Sequence, residues 1–247
     1  MSLAERTKRC VIGTADRFPA DNLAGDANAA CEWDCYRRAT MLEDFATYIF
    51  DHNVQGDFME AGVFKGGVAI VMAALLLQDR SNNDRKMWMA DSFVGLPRLD
   101  LGRIRDPTVA NLVRTQSAAA KWHPGRFAAS KQIVKRNLYN CLPEATGRQF
   151  VKFIGGFFNE SLPGPVKQLA LLRIDADMYT SITDVLERAY DRMSSGGFVV
   201  FDDYKFGQAR LAIEDFRQRR GVRAPLQFYN ETLDVMAYWR VPYRIKH

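Results

Sequence analysis

The chain has 247 residues, 47% hydrophobic and 26% charged, with a formal net charge of +5. Such a composition is that of an ordinary globular protein, and the length allows one α/β domain with decorations or at most two small domains. No apolar segment reaches the ~18 residues that crossing a bilayer requires, so no membrane partner is expected, and the first ten residues lack the apolar run of a secretory signal. The four cysteines form no C-x-x-C pair and the three histidines lie far apart, which argues against a structural zinc site and gives a disulfide framework no support. A reducing, cytoplasmic setting is expected. Much of the positive excess lies between Arg98 and Arg136, but no nucleic-acid recognition motif accompanies it, so it reads as a solvated face.

Residues 1–31 are polar and rich in Ala, Asn and Asp, and read as an arm that could close over a site or mediate self-association. From Glu32 to His52 the spacing turns helical, with Met41, Leu42, Phe45, Tyr48 and Ile49 able to share one face. Asp57 to Gly62 reads as a first strand, leading through Val63-Phe64-Lys65-Gly66-Gly67 into an almost wholly apolar helix, 68–78. A glycine-rich strand-to-helix turn lets backbone approach a ligand closely, and the helix N-terminus beyond it offers unpaired N–H groups. The spacing E-x-G-x-x-x-G-G matches neither the dinucleotide nor the phosphate-loop pattern, and many such glycines serve packing alone. A second strand, 86–90, ends on Asp91-Ser92-Phe93, where an acidic residue is placed to accept hydrogen bonds from ribose hydroxyls. An exposed loop aspartate is the bland alternative.

Residues 98–126 form a long, charged, weakly periodic insertion of the kind that serves as a lid or binding loop. A helix over 127–139 and a third strand over 150–154 follow. Leu169 to Ile174 is an apolar run too short for a typical helix, so it reads as a buried parallel strand. It stops on Asp175-Ala176-Asp177. Met178 to Met193 then reads as an amphipathic helix, closed by Ser194 to Gly197. A second apolar strand, Phe198 to Phe201, stops on Asp202-Asp203. A helix over 208–220 comes next, and two runs around Asn230–Asp234 read as an antiparallel hairpin.

Residues 169–204 thus make a β-α-β unit whose strands both end in paired aspartates. Neighbouring parallel strands lie ~4.8 Å apart, and open sheets bind ligands beyond their carboxyl ends. Up to four carboxylates would then share one crevice, raising one another's pKa unless something positive sits between them. A hard divalent cation, Mg²⁺ most simply, meets that need. The alternative is that Asp177 and Asp203 merely cap helices. A parallel α/β sheet with a nucleoside crevice and a closing hairpin has the outline of a Rossmann-like methyltransferase.

The motifs GDFMEAGVFKGG (56–67), DSFVGLP (91–97), FFNESLP (157–163), LLRIDADMYTSITDVLERAY (171–190) and SSGGFVVFDDY (194–204) together resemble the macrocin-type sugar O-methyltransferases of antibiotic biosynthesis. They occur in the family's order and cover most of 34–221. The resemblance implies a class I fold: a mostly parallel seven-stranded sheet with helices on both faces, in one domain over 32–247. It implies S-adenosylmethionine as donor, Mg²⁺ as cofactor, and a sugar hydroxyl of a small molecule as acceptor, free or nucleotide-linked, the basic stretch favouring an anionic one. Carried over by position, Asp175, Asp202 and Asp203 match metal ligands and Asp177 a general base. Glu60, Gly62, Gly66 and Gly67 match the donor loop, and Asp91, with Ser92 beside it, the ribose site. Ala176 stands where the family usually has Gly, and Thr180 where it usually has Glu. Two other readings compete: a metal-dependent catechol or phenol O-methyltransferase, and a donor-binding module without catalysis.

Overall fold

The computed structural model describes residues 27–79, 84–117, 123–229 and 236–243. The arm expected over 1–31 therefore lies outside the described residues as far as position 26. A helix, α1 (Ala27–Asp51), precedes the sheet. Parallel strands β1 (Asp57–Ala61), β2 (Met87–Asp91), β3 (Val151–Gly155), β4 (Leu169–Ile174) and β5 (Met193–Phe201) are then linked by helices. The chain closes with β6 (Gln227–Tyr229) and β7 (Met236–Arg240), whose expected turn residues lie outside the described segment. The order across the sheet is β3-β2-β1-β4-β5-β7-β6, and β7 is antiparallel to both β5 and β6. This is the seven-stranded, Rossmann-like arrangement expected, and its order reverses between β1 and β4, at the crevice where open sheets bind ligands.

Two apolar cores flank the sheet. On one face α1, α2 (Gly67–Leu76) and α4 (Lys131–Cys141) bury Leu42, Ile49, Ile70 and Leu138. The other face carries α7 (Tyr179–Ala189) and α8 (Gly207–Arg220), which bury Ile182, Val185, Ile213 and Phe216 against Leu172 and Trp239. The helix α2 is apolar all round because it is enclosed all round, as such a pattern requires.

Several boundaries differ from the sequence reading for visible reasons. The insertion contains a short 3-10 turn (Leu101–Arg103) and a helix, α3 (Pro107–Ser117), whose Val113 is fully buried in the second core. Asp106 accepts from the Thr108 backbone at 2.7 Å, so this helix has a start signal that its weak periodicity concealed. A further helix, α5 (Glu144–Phe150), follows α4 directly. Strand β5 begins at Met193, so Ser194 to Gly197, read as a stop, lies inside the strand. There the pairing with β4 slips in register, and a Cβ on Gly197 would sit 2.7 Å from the Ala170 carbonyl oxygen. Gly197 marks a bulge where two backbones meet closely. Cys141 is disulfide-bonded, a bridge that the cysteine spacing gave no sign of.

A candidate active site at the carboxyl ends of β1, β2, β4 and β5

The cleft at this end of the sheet holds about 370 Å³. Its glycine loop is fixed by contact. Gly62, with φ +90°, ends β1 so close to β4 that a Cβ would lie 1.7 Å from the Asp175 carbonyl oxygen, which no side chain can satisfy. Gly66, also left-handed, caps α2, and Gly67 is that helix's first residue.

Asp91 ends β2 and holds the same loop. Its Oδ2 accepts from the Val63 and Phe64 backbone N–H groups at 2.8 and 3.1 Å, and its Oδ1 from Phe93 N at 2.7 Å. Ser92 Oγ donates to the Gly95 carbonyl at 2.8 Å. Gly62, Asp91 and Ser92 line the cleft.

The aspartates follow β4 and β5. Asp175, Asp177 and Asp203 each place a carboxylate oxygen within 4.8 Å of the others. Asp177 is in the left-handed region at φ 57°, and its N–H donates to Asp203 Oδ2 at 2.9 Å. Aspartate tolerates that conformation better than most residues, and the turn aims both carboxylates into one space. The positive φ falls on Asp177 and not on Ala176, so nothing in the backbone calls for glycine at 176.

Asp202 stands apart from this trio. Arg38 Nη2 lies 3.0 Å from its Oδ2. Arg173 Nη2 lies 2.6 Å from its Oδ1, close as an ion pair but out of line for a hydrogen bond. Arg173, fully buried in β4, also donates to Asp175 Oδ2 at 3.0 Å and to Glu60 Oε1. Glu60 faces this arginine in the interior and is absent from the cleft lining.

The electrostatics follow from these contacts. Burial, together with Asp175, Asp177 and Asp202, pushes the Asp203 carboxyl well above the usual carboxylate range. Asp175 is raised by burial and by Asp202. Burial would raise Asp202 as well, but Arg173 and Arg38 more than offset it and hold that carboxyl low. Glu60, enclosed by the core, is raised to about 7 despite Arg173. The counter-charge expected between the aspartate pairs is thus partly arginine, concentrated on the Asp202 side.

Comparison with known proteins fixes the family. The family described as Macrocin-O-methyltransferase (TylF) matches residues 28–241, most of the chain. The chain belongs to the macrocin O-methyltransferase family. This methyltransferase is 34% identical over 209 residues to the 8-demethyl-8-(2,3-dimethoxy-alpha-L-rhamnosyl)-tetracenomycin-C 4'-O-methyltransferase of Streptomyces olivaceus, covering 83% of this chain and 73% of that protein. It is 35% identical over 189 residues to the mycinamicin III 3''-O-methyltransferase of Micromonospora griseorubida, with 75% and 70% covered. The solved O-methyltransferase NovP superposes with a TM-score of 0.69 at 30% identity, over 84% of this chain and 80% of that one. The calicheamicin methyltransferase CalS11 shares the fold at 20% identity, with a TM-score of 0.65 over 95% and 91%.

The methyltransferase brings most of the residues singled out in the sequence to one place. Gly62, Asp91, Ser92, Asp175, Asp177, Asp202 and Asp203 line a single cleft, while Glu60, Gly66 and Gly67 are not on its lining. Arg173 and Arg38 were missed. Arg173 carried a readable signal, a lone cation inside an apolar strand two residues before Asp175. Arg38 carried none, because its partner is remote in sequence. Lys205, Thr180, Ser181 and Asp184 also line the cleft.

Proposed function

We propose that this S-adenosylmethionine-dependent O-methyltransferase moves a methyl group to a sugar hydroxyl of a glycosylated small molecule, with Mg²⁺ as cofactor. The observation that carries the reading is the convergence of Asp175, Asp177 and Asp203 at the tips of two adjacent strands beside a glycine loop. Two relatives are named for O-methylating a rhamnosylated tetracenomycin and mycinamicin III, which supports a glycoside acceptor.

The donor set fits a hard cation. Oxygen ligands about 2.1 Å from Mg²⁺ lie about 3 Å apart when adjacent and about 4.2 Å when opposite, so Asp175 and Asp203, whose oxygens already lie within 4.8 Å of each other, need little adjustment. Asp203, whose burial and acidic neighbours raise its carboxyl, is the group with most to gain from a positive neighbour. Asp175 and Asp203 would hold the ion; Asp202, engaged by two arginines, could join them on parting from Arg38. When bound, the ion acidifies a coordinated hydroxyl and fixes its position.

The chain's own residues do the rest. Gly62 and the loop stapled by Asp91 give the donor room to approach the backbone, and Asp91 and Ser92 face its ribose. Asp177, held by its N–H bond to Asp203, takes the hydroxyl proton as the oxygen attacks the sulfonium methyl carbon. The S–CH₃ bond breaks, the new O–CH₃ bond forms, and S-adenosylhomocysteine leaves. A carboxylate is a weak base for an alcohol proton, so positioning must supply much of the rate.

The test is methyl transfer from labelled S-adenosylmethionine to a panel of deoxysugar glycosides, with chelator and after Mg²⁺ is restored. Transfer abolished by chelator, recovered with Mg²⁺ and lowered about 100-fold or more in Asp177→Asn, in line with loss of general-base catalysis, is the expected result. Near wild-type turnover in Asp177→Asn would remove its role as the base. Transfer to catechols alone would replace the sugar reading.

A further inference from the structure

The cleft has two unlike ends. Toward β1 and β3 it is aromatic, where Phe64 and Phe127 meet edge to face at 5.9 Å and Phe157 stands nearby on the lining. Over α7 it is polar, lined by Thr180, Ser181, Asp184 and, from the insertion, Arg103. Thr180 and Asp184 are four residues apart and share a helix face. Arg103 donates to Asp184 Oδ1 across 81 positions of chain.

The insertion does not need that ion pair to stay in place. Its base is closed by Leu96 N–H to Arg126 O at 2.8 Å and Gly125 N–H to Leu96 O at 2.9 Å. Its body is anchored by Ile104 and Val113, buried in the same core as Ile182 and Val185. An ion pair whose arginine is 40% exposed adds little to such an anchor. A guanidinium and a carboxylate fixed side by side at the mouth of a cleft do, however, present donors and an acceptor together. Neighbouring hydroxyls of a pyranose, each both donor and acceptor, match that pair.

Resting on the sugar-acceptor reading above, we propose that Arg103 and Asp184, with Thr180 and Ser181, form the acceptor subsite that selects which sugar hydroxyl reaches Asp177. Charge opposes a nucleotide-linked sugar. Among the described residues, six carboxylates line the cleft against four cationic side chains, Arg38, Arg98, Arg103 and Lys205. At least two of these four are paired with aspartates, so among the described residues a diphosphate would meet no arginine cluster of the kind that recognises it. The insertion is therefore the acceptor wall, and its acidic partner on α7 sets the specificity.

The experiment compares p-nitrophenyl α-L-rhamnoside with dTDP-L-rhamnose as acceptors for the wild type, Asp184→Asn, Arg103→Gln and Arg103→Lys. S-adenosylhomocysteine affinity and thermal midpoint are measured alongside. The expected result is wild-type preference for the neutral glycoside, and a KM raised about tenfold or more in Asp184→Asn and Arg103→Gln, as for loss of ground-state binding. Donor affinity and midpoint should stay unchanged, and Arg103→Lys should recover part of the loss. Unchanged KM in both variants, preference for the nucleotide sugar, or a fall in donor affinity and midpoint that accounts for the activity lost would overturn the assignment. If the wild type binds S-adenosylhomocysteine yet methylates neither probe, the sugar-acceptor reading fails and this inference with it. Failure to bind S-adenosylhomocysteine would instead sink the donor crevice itself.

Discussion

Replacing Arg173 by Met tests how the site is built. The guanidinium is fully buried and bridges Glu60, Asp175 and Asp202, three carboxylates from three strand ends. Removing it leaves Asp202 with Arg38 and leaves Glu60 facing the core with no ion-pair partner among the described residues. Deleting one member of a buried ion pair costs about 3–5 kcal/mol, a large share of the roughly 5–15 kcal/mol that holds a domain folded. The cost should depend on pH, because a carboxyl that has lost its arginine can escape by taking a proton. Equilibrium urea unfolding followed by circular dichroism should show the full loss near pH 8 and a smaller one near pH 5.5. Adding Glu60→Gln to Arg173→Met should recover part of it, since residues in one charge network couple by roughly 0.5–3 kcal/mol. A single variant within about 1 kcal/mol of wild type at pH 8, the scale of an exposed pair, would show that Arg173 does not hold the site together. So would a double variant no more stable than the single.

Glu60→Gln alone probes the same network from the acidic side. Burial raises Glu60 from 4.5 to about 7, so the folded chain holds that proton more tightly than the unfolded one. Its contribution is complete below pH 4.5 and is lost as pH rises through about 7. Wild-type stability should therefore fall across that window, and Glu60→Gln should flatten the fall; an identical pH profile in both proteins would count against it. Gly62→Ala combines a left-handed backbone with a Cβ 1.7 Å from a carbonyl oxygen. Strain of about 1–3 kcal/mol and overpacking of about 1–3 kcal/mol should lower the thermal midpoint sharply and abolish donor binding. A midpoint near wild type would show that β1 and β4 can part there.

What the sequence made legible was local. The β-α-β unit with its two aspartate pairs, the glycine turn and the closing hairpin each follow from period and punctuation within a few residues. Harder to see were features set by distant contacts. Arg173 was absorbed into an apolar run because its neighbours are apolar, yet its charge is neutralised by Glu60 from a separate strand. Asp202 and Asp203 look equivalent in sequence, and the fold separates them: one is held by two arginines, the other faces Asp175 and Asp177. Two glycines in β5 imitate a helix stop, but the approach of Ala170 that Gly197 permits is a property of the sheet. The insertion looked irregular because few of its described side chains, Ile104 and Val113, are buried, too few to generate a period.

Calorimetric titration of Mg²⁺ into the full chain in the presence of S-adenosylhomocysteine, repeated on Asp203→Asn and Asp202→Asn, decides whether the aspartate cluster holds a cation. A single saturable site is expected in the wild type, lost in Asp203→Asn and retained with weaker affinity in Asp202→Asn. Absence of binding to the wild type, or loss of it in Asp202→Asn with retention in Asp203→Asn, would contradict that assignment.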